Sequence, residues 1–145
     1  MATVNTYLMF NGNCEEAFLF YKSVFGREFS YIGKFNEAPA EDGGSEELSE
    51  EEGNRIMHVS FPIGNTILMG SDSHPRYGDV VVGSNFQISV NVESKEEADR
   101  IFNGLSAGGK VCMPMEKTLW SAYFGMLQDK FEISWMVNFD ETPAK

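Results

Sequence analysis

Proton-transfer chemistry in this chain would start from its two histidines, His58 and His74, because only the imidazole has an unperturbed pKa near neutrality. His58 stands in the alternating run Ile56 to Ile63, IMHVSFPI, where a positioned ring can act as a general base. A lone histidine on a strand is more often a hydrogen-bonded structural residue. His74 lies in the turn His74-Pro75-Arg76-Tyr77-Gly78 and is expected to be exposed, with Asp72 and Arg76 as neighbours able to pair. A metal held by His58, His74 and Asp72 would require that turn to fold back over the strand. Cys14 and Cys112 have neither CxxC spacing nor an adjacent histidine, so they read as small buried hydrophobes in a reducing compartment. Trp120, Phe124 and Trp135 read as core or rim. As an aromatic wall beside an acidic rim, they can also hold a flat or cationic ligand.

The elements that must position these residues come in two copies. Glu15-Glu16-Ala17 recurs as Glu96-Glu97-Ala98, an offset of 81 residues. Leu68-Met69 corresponds to Trp135-Met136, an offset of 67. The difference, 81 − 67 = 14, assigns about fourteen extra residues to the first copy, and the acidic, glycine-rich segment 37–54 supplies them. The chain therefore reads as one domain of two βαβββ modules: module one at 1–72 with its insertion, a connection at 73–84, and module two at 85–139. A chain of 145 residues is long enough for two such modules to share a core.

Alternation places the first strand at 3–10, and Asn13 with Glu16 predicts a capping box for a helix from Cys14 to about Phe25 that Gly26 ends. A second strand is expected at 28–35. Ile56 to Ile63, Gly64-Asn65 and Thr66 to Ser71 predict a hairpin. In module two the spacing predicts a strand over Phe86 to Val92, a helix opened by the Ser94/Glu97 box and closed at Gly108-Gly109, and an edge or bulged strand over Lys110 to Glu116 because of Pro114. Trp120 to Gln128 and Glu132 to Phe139 complete the unit.

Strand parity predicts what each face presents. Ile88, Val90 and Val92 should face a helix, leaving Gln87, Ser89 and Asn91 on the other side. Carried back by the 81-residue offset, Thr6, Leu8 and Phe10 fall on that other side. The hairpins add His58, Ser60, Met69, Ser134, Met136 and Asn138. A one-residue slip would invert every side chain of a strand. The expected surface is partly apolar with a few convergent polar groups, the make-up of a small-molecule pocket. Its residues are Thr6, His58, Ser60, Met69, Gln87, Ser89, Trp120, Phe124, Ser134 and Met136.

A net charge of −11 argues against nucleic-acid or anionic-membrane partners. Much of it lies in one run, Glu41 to Glu52, which reads as a solvated mobile segment. The absence of a bilayer-length apolar stretch and of a signal-peptide pattern points to the cytoplasm.

The segments YLMFNGNCEEAFLFYKSVFG at Tyr7 to Gly26, IMHVSF at Ile56, LMGSD at Leu68 and DKFEISWMVNF at Asp129 to Phe139 resemble the PhnB-like branch of the vicinal oxygen chelate superfamily of glyoxalases, extradiol dioxygenases and bleomycin-resistance proteins. The resemblance covers nearly the whole chain. It implies a glyoxalase-like α+β fold, in which the two modules form a curved mixed sheet around a cup with helices on the outer face, and a homodimer. Glu132 departs from the glycine usual in that branch's D-x-F-G turn.

In the superfamily's metal-dependent members the ligands come from the first and fourth strands of each module. Carried over, those positions are Thr6, Met69, Gln87 and Met136, none a usual ligand for a divalent metal. The expectation is a small-molecule-binding protein with no metal and no cofactor. The rival is a glyoxalase-type lyase, isomerase or dioxygenase using a relocated metal or His58 as base. A third reading is an empty scaffold whose acidic loop docks a protein partner. Some members of the branch carry a methyltransferase name, but no glycine-rich loop of the nucleotide-cofactor kind is present.

Overall fold

The computed structural model describes residues 2–37, 48–120 and 122–140. Most of the acidic insertion, 38–47, lies outside the described residues, as does the reading of it as a mobile run or docking loop. Two compact units are present, Met1–Val81 and Val82–Lys145. The fold is α+β, with two four-stranded mixed sheets.

In the first unit the elements are β1 (Thr6–Phe10), α1 (Cys14–Phe25), β2 (Tyr31–Lys34), the short α2 (Glu50–Gly53), β3 (Ile56–Ile63) and β4 (Thr66–Asp72). The sheet order is β1-β4-β3-β2, with β1 parallel to β4 and the remaining pairs antiparallel. The second unit repeats the plan with β5 (Ile88–Asn91), α3 (Lys95–Ser106), β6 (Lys110–Lys117), β7 (Ala122–Gln128) and β8 (Ser134–Asp140). Its order, β5-β8-β7-β6, is the same topology. β6 is an edge strand with register shifts on either side of Met113, as Pro114 predicts.

Each helix covers one face of its own sheet. Phe18 of α1 meets Phe10 and Phe61 edge-on at 6.2 and 6.0 Å, and Gly70 leaves the room that its ring occupies. Ala17, Tyr21, Val59 and Leu68 complete a buried apolar layer. In the second unit Ala98, Ile101, Phe102 and Leu105 of α3 are buried with Val90, Leu127, Trp135 and Val137 of the sheet. At about 25 cal/mol per Å² of apolar surface, these two layers are the main stabilising term.

Several local expectations change. Asn13 makes no side-chain cap bond. Instead, Asp72 Oδ1 accepts from the Gly12 and Cys14 amides at 2.8 and 3.0 Å, so a carboxylate from β4 takes the first orphan donor of α1 together with an amide of the loop before it. Ser94 does cap α3, accepting from Glu97 N at 3.0 Å. Glu50, Glu51 and Glu52 are not a structureless run. Ser49 and Glu52 form a reciprocal capping box, with the three carboxylates in the favoured first turn, and the Ser49 N–H and hydroxyl hold Glu52 below the usual carboxylate range. Cys14 is buried, and burial, then the Asp72 and Glu15 charges, push its thiol up. Cys112, expected to be buried, is exposed because it lies on the edge strand β6.

At Glu132 the chain takes φ 69°, the left-handed conformation that glycine adopts freely and that costs a side-chain-bearing residue about 1–2 kcal/mol. Glu132→Gly should raise stability by about 1 kcal/mol after the greater chain entropy of glycine is subtracted. Urea unfolding at constant m reads the change.

Candidate functional site

Register fixes which side chains share the helix-free face of each sheet. In the first unit, Tyr7 of β1 pairs with Met69 of β4, Met69 with Ser60 of β3, and Ser60 with Tyr31 of β2. These four make one row across the sheet. The next row contains Met9 opposite Ser71, and His58 opposite Gly33. Leu8, Val59, Phe61, Leu68 and Gly70 have the other parity and are buried beneath α1.

This overturns the expected phase of β1. Thr6, Leu8 and Phe10 do not share a face with His58 and Met69. Thr6 pairs with Leu68, and Leu8 and Phe10 are 3% and 5% exposed. The physical cause is one residue of loop. The helices repeat at an offset of 81, but the strand registers Tyr7↔Met69 and Ser89↔Met136 repeat at 89 − 7 = 82. The β–α connection is one residue shorter in the second unit, and with a period of two that single residue inverts the face. Matching the apolar parity of Leu8 and Phe10 to that of Ile88 and Val90 would have found it. Tyr7 and Met9 are the residues that the helix offset missed, and Tyr31 is on β2, whose faces were not assigned from the sequence.

His58 is the centre of the first unit's helix-free face. The Tyr7 hydroxyl lies 3.2 Å from its Nδ1; with the hydroxyl donating, the neutral ring carries its proton on Nε2. The Tyr7 and Tyr31 rings flank it at 5.7 and 6.0 Å, each tilted 35°. Ser60 is 8% exposed, and the Ser71 hydroxyl donates to Met9 Sδ at 3.4 Å.

On the second sheet, register brings together Ser89 with Met136, Met136 with Met126, Phe124 with Asn138, and Ser134 with Gln128. The expected residues Ser89, Phe124, Ser134 and Met136 therefore share one face. Trp120 is 66% exposed and meets Phe124 edge-on at 6.1 Å, whereas Trp135 is a core residue at 0% exposure. Gln87 is exposed just before β5. The Asn138 amide donates to Asn91 and Asp140.

The donors do not suit a divalent metal. Beside Met69 and Met136 the first strands offer Tyr7 and Ser89, a phenol and a hydroxyl next to thioethers, with no anionic ligand. Asp72 is spent on three amides, since its Oδ2 also accepts from Ile56 N at 2.9 Å. His74, expected to be exposed, is 9% exposed. Its ring packs edge-on against Phe35 at 5.1 Å, and its Nδ1 accepts from Arg76 N. Among the described residues no three His, Cys, Asp or Glu side chains gather around one point.

The family model that matches this chain, over residues 2–138, is described as 3-demethylubiquinone-9 3-methyltransferase. Protein YjdN of Escherichia coli is 32% identical over 139 residues, 93% of each chain. Protein PA1353 of Pseudomonas aeruginosa is 39% identical, with a TM-score of 0.83 over 97% of this chain and 98% of that one. The PhnB protein of Bacillus cereus, described as a putative 3-demethylubiquinone-9 3-methyltransferase, is 29% identical with a TM-score of 0.68, over 95% and 99%. A glyoxalase/bleomycin resistance protein/dioxygenase family enzyme of Burkholderia phytofirmans shares the fold alone, at 15% identity and a TM-score of 0.61, over 94% and 99%. The residues here do not fit the nucleotide cofactor that a methyltransferase name suggests. Both long helices begin on the chain's own acceptors, Asp72 at α1 and Ser94 at α3, and neither follows a G-x-G-x-x-G loop. The fold, the repeat and these matches together place the chain in the 3-demethylubiquinone-9 3-methyltransferase family, with a PhnB protein among its relatives and a glyoxalase-like fold.

Proposed function

We propose that this chain binds a small organic molecule on the helix-free face of a sheet and works without the catalytic metal of glyoxalase-type relatives. The observation that carries this reading is the pairing of Tyr7 with Met69 and Ser89 with Met136. A metal site needs charged or imidazole donors at those places. Neutral hydroxyls and adaptable thioethers instead suit an organic ligand. Cytoplasmic location and a homodimer belong to the same proposal, and sizing at micromolar concentration reads the dimer; a monomer there would remove it.

The rival, a glyoxalase-type enzyme with His58 as base, has one favourable observation, the hydrogen-bonded contact between Tyr7 and His58. Catalytic imidazoles are usually oriented by a carboxylate or carbonyl, and here the hydrogen-bond partner is a phenol. His58→Ala separates the two. A binder should lose about tenfold in affinity, the worth of one hydrogen bond of about 1.4 kcal/mol. An enzyme using His58 as base should instead lose about a hundredfold or more in kcat. Thermal-shift titration with a panel of small metabolites, followed by turnover assays on whatever binds, supplies both readouts.

A further inference from the structure

We infer that the helix-free face of the first sheet receives a planar aromatic ring, stacked against Tyr7, His58 and Tyr31, and that Gly33 is the positioning residue that seats Tyr31. This rests on the small-molecule reading above and names the class of ligand.

The geometry of the rings carries the inference. Around Phe18 in the core, aromatic pairs meet edge to face, with Phe10 at 85°, Tyr21 at 78° and Phe61 at 80°, and further rings against Phe61 and Tyr21 are tilted by 44–54°. Such contacts use up the ring faces within the protein. On the helix-free face the two pairs are tilted by only 35°, and Tyr7 and Tyr31 remain 44% and 49% exposed. Three neighbouring rings at small mutual tilt, two of them exposed, offer a platform that a fourth, planar ring can complete.

Gly33 explains how Tyr31 comes to lie there. Gly33 is two residues from Tyr31 on the same face of β2, directly opposite His58. A Cβ at Gly33 would collide with the Tyr31 hydroxyl oxygen and stand 2.9 Å from its Cζ. The missing side chain therefore lets the phenol fold down along the strand, over Gly33 and toward the imidazole. Gly33 has no left-handed backbone to explain it, so its use is the space it leaves.

The surroundings select an aromatic ring over a cation. The residues that register puts beside these rings, Met9, Ser60, Met69 and Ser71, are uncharged. Polar atoms stand around the platform's edge: the Tyr31 hydroxyl over Gly33, and the imidazole nitrogen not facing Tyr7. A planar ring with a hydroxyl, carbonyl or ring nitrogen on its edge matches this pattern.

The test compares 2-naphthol with decahydro-2-naphthol, which has the same carbon skeleton and hydroxyl but no π face, by calorimetry and saturation-transfer NMR on the full chain. Tetramethylammonium serves as the cationic probe. The inference expects 2-naphthol to bind about tenfold more tightly than its saturated analogue, with saturation passing from tyrosine ring protons. Gly33→Ala should weaken 2-naphthol about fivefold while the melting temperature moves by no more than about 2 °C, since only the end of a flexible side chain must shift. Tyr31→Ala removes the same wall without the clash and should weaken binding similarly. Equal binding of the two alcohols, tighter binding of tetramethylammonium, or an unchanged affinity in both variants would overturn the inference while leaving small-molecule binding in place. If neither alcohol binds, the inference is overturned; the broader reading falls with it only if the non-aromatic members of the metabolite panel also fail to bind.

Discussion

Asp72→Ala should cost about 4 kcal/mol of folding stability and lower the melting temperature by roughly 10 °C. The side chain is 2% exposed and accepts from three backbone amides belonging to three parts of the first unit: Gly12 in the β1–α1 loop, Cys14 at the start of α1 and Ile56 at the start of β3. Hydrogen bonds to a charged acceptor contribute about 1.5–3 kcal/mol each, and removing the acceptor leaves the donors to pay their full desolvation. Water can replace the bond to Gly12, which is exposed, but reaches Cys14 and Ile56 poorly at 0% and 1% exposure. The total therefore stays below three full penalties. Against a typical stability of about 5–15 kcal/mol the loss is large. Asp72→Asn keeps the shape and one good acceptor, so about half the loss is expected. Denaturant melts of the three proteins give the comparison, and a loss below about 1 kcal/mol in the alanine variant would contradict the anchoring role.

Asp129→Asn should cost about 3 kcal/mol and change the environment of one tryptophan. Asp129 Oδ1 accepts from Phe131 N and Ile133 N at 2.8 and 3.1 Å, and Oδ2 accepts from the Trp135 indole at 2.8 Å. An amide in its place must turn its NH2 toward either the two backbone donors or the indole, and each choice sets donor against donor. Trp135 is fully buried whereas Trp120 is 66% exposed. A red shift of the blue component of the emission therefore reports the indole losing its site. A double-mutant cycle with Trp135→Phe isolates the bond, with an expected coupling of about 1–2 kcal/mol. No coupling would mean that Asp129 acts through the turn amides alone.

The two carboxylates also mark how far residue pattern alone can reach. The βαβββ plan, both hairpins, the Ser94 cap and the edge position of β6 were legible, because apolar periodicity, turn residues and the repeat all state local rules. The cap of α1 was not. Asn13 and Glu16 have the right types and spacing, but Asp72 is 58 residues from Cys14, and nothing local announces a long-range acceptor. The candidate site divides along the same line. His58, Ser60, Met69, Ser89, Phe124, Ser134 and Met136 fell on the intended faces because each was read within its own strand. Tyr7 was lost and Thr6 put on the wrong face because a helix offset was carried across a loop of different length into a strand, and Tyr31 was lost because no face was assigned to its strand.

The central claim is that a helix-free sheet face holds an organic ligand and not a catalytic metal. Elemental analysis of untagged protein, followed by thermal-shift titration with zinc, nickel, manganese and iron, tests it most directly. Anything that binds the folded chain and not the unfolded one raises the melting temperature by mass action. The account predicts less than about a tenth of an equivalent of metal and no shift with any of the four ions. Stoichiometric metal, or a saturable rise that disappears in His58→Ala, would contradict it and restore the enzyme.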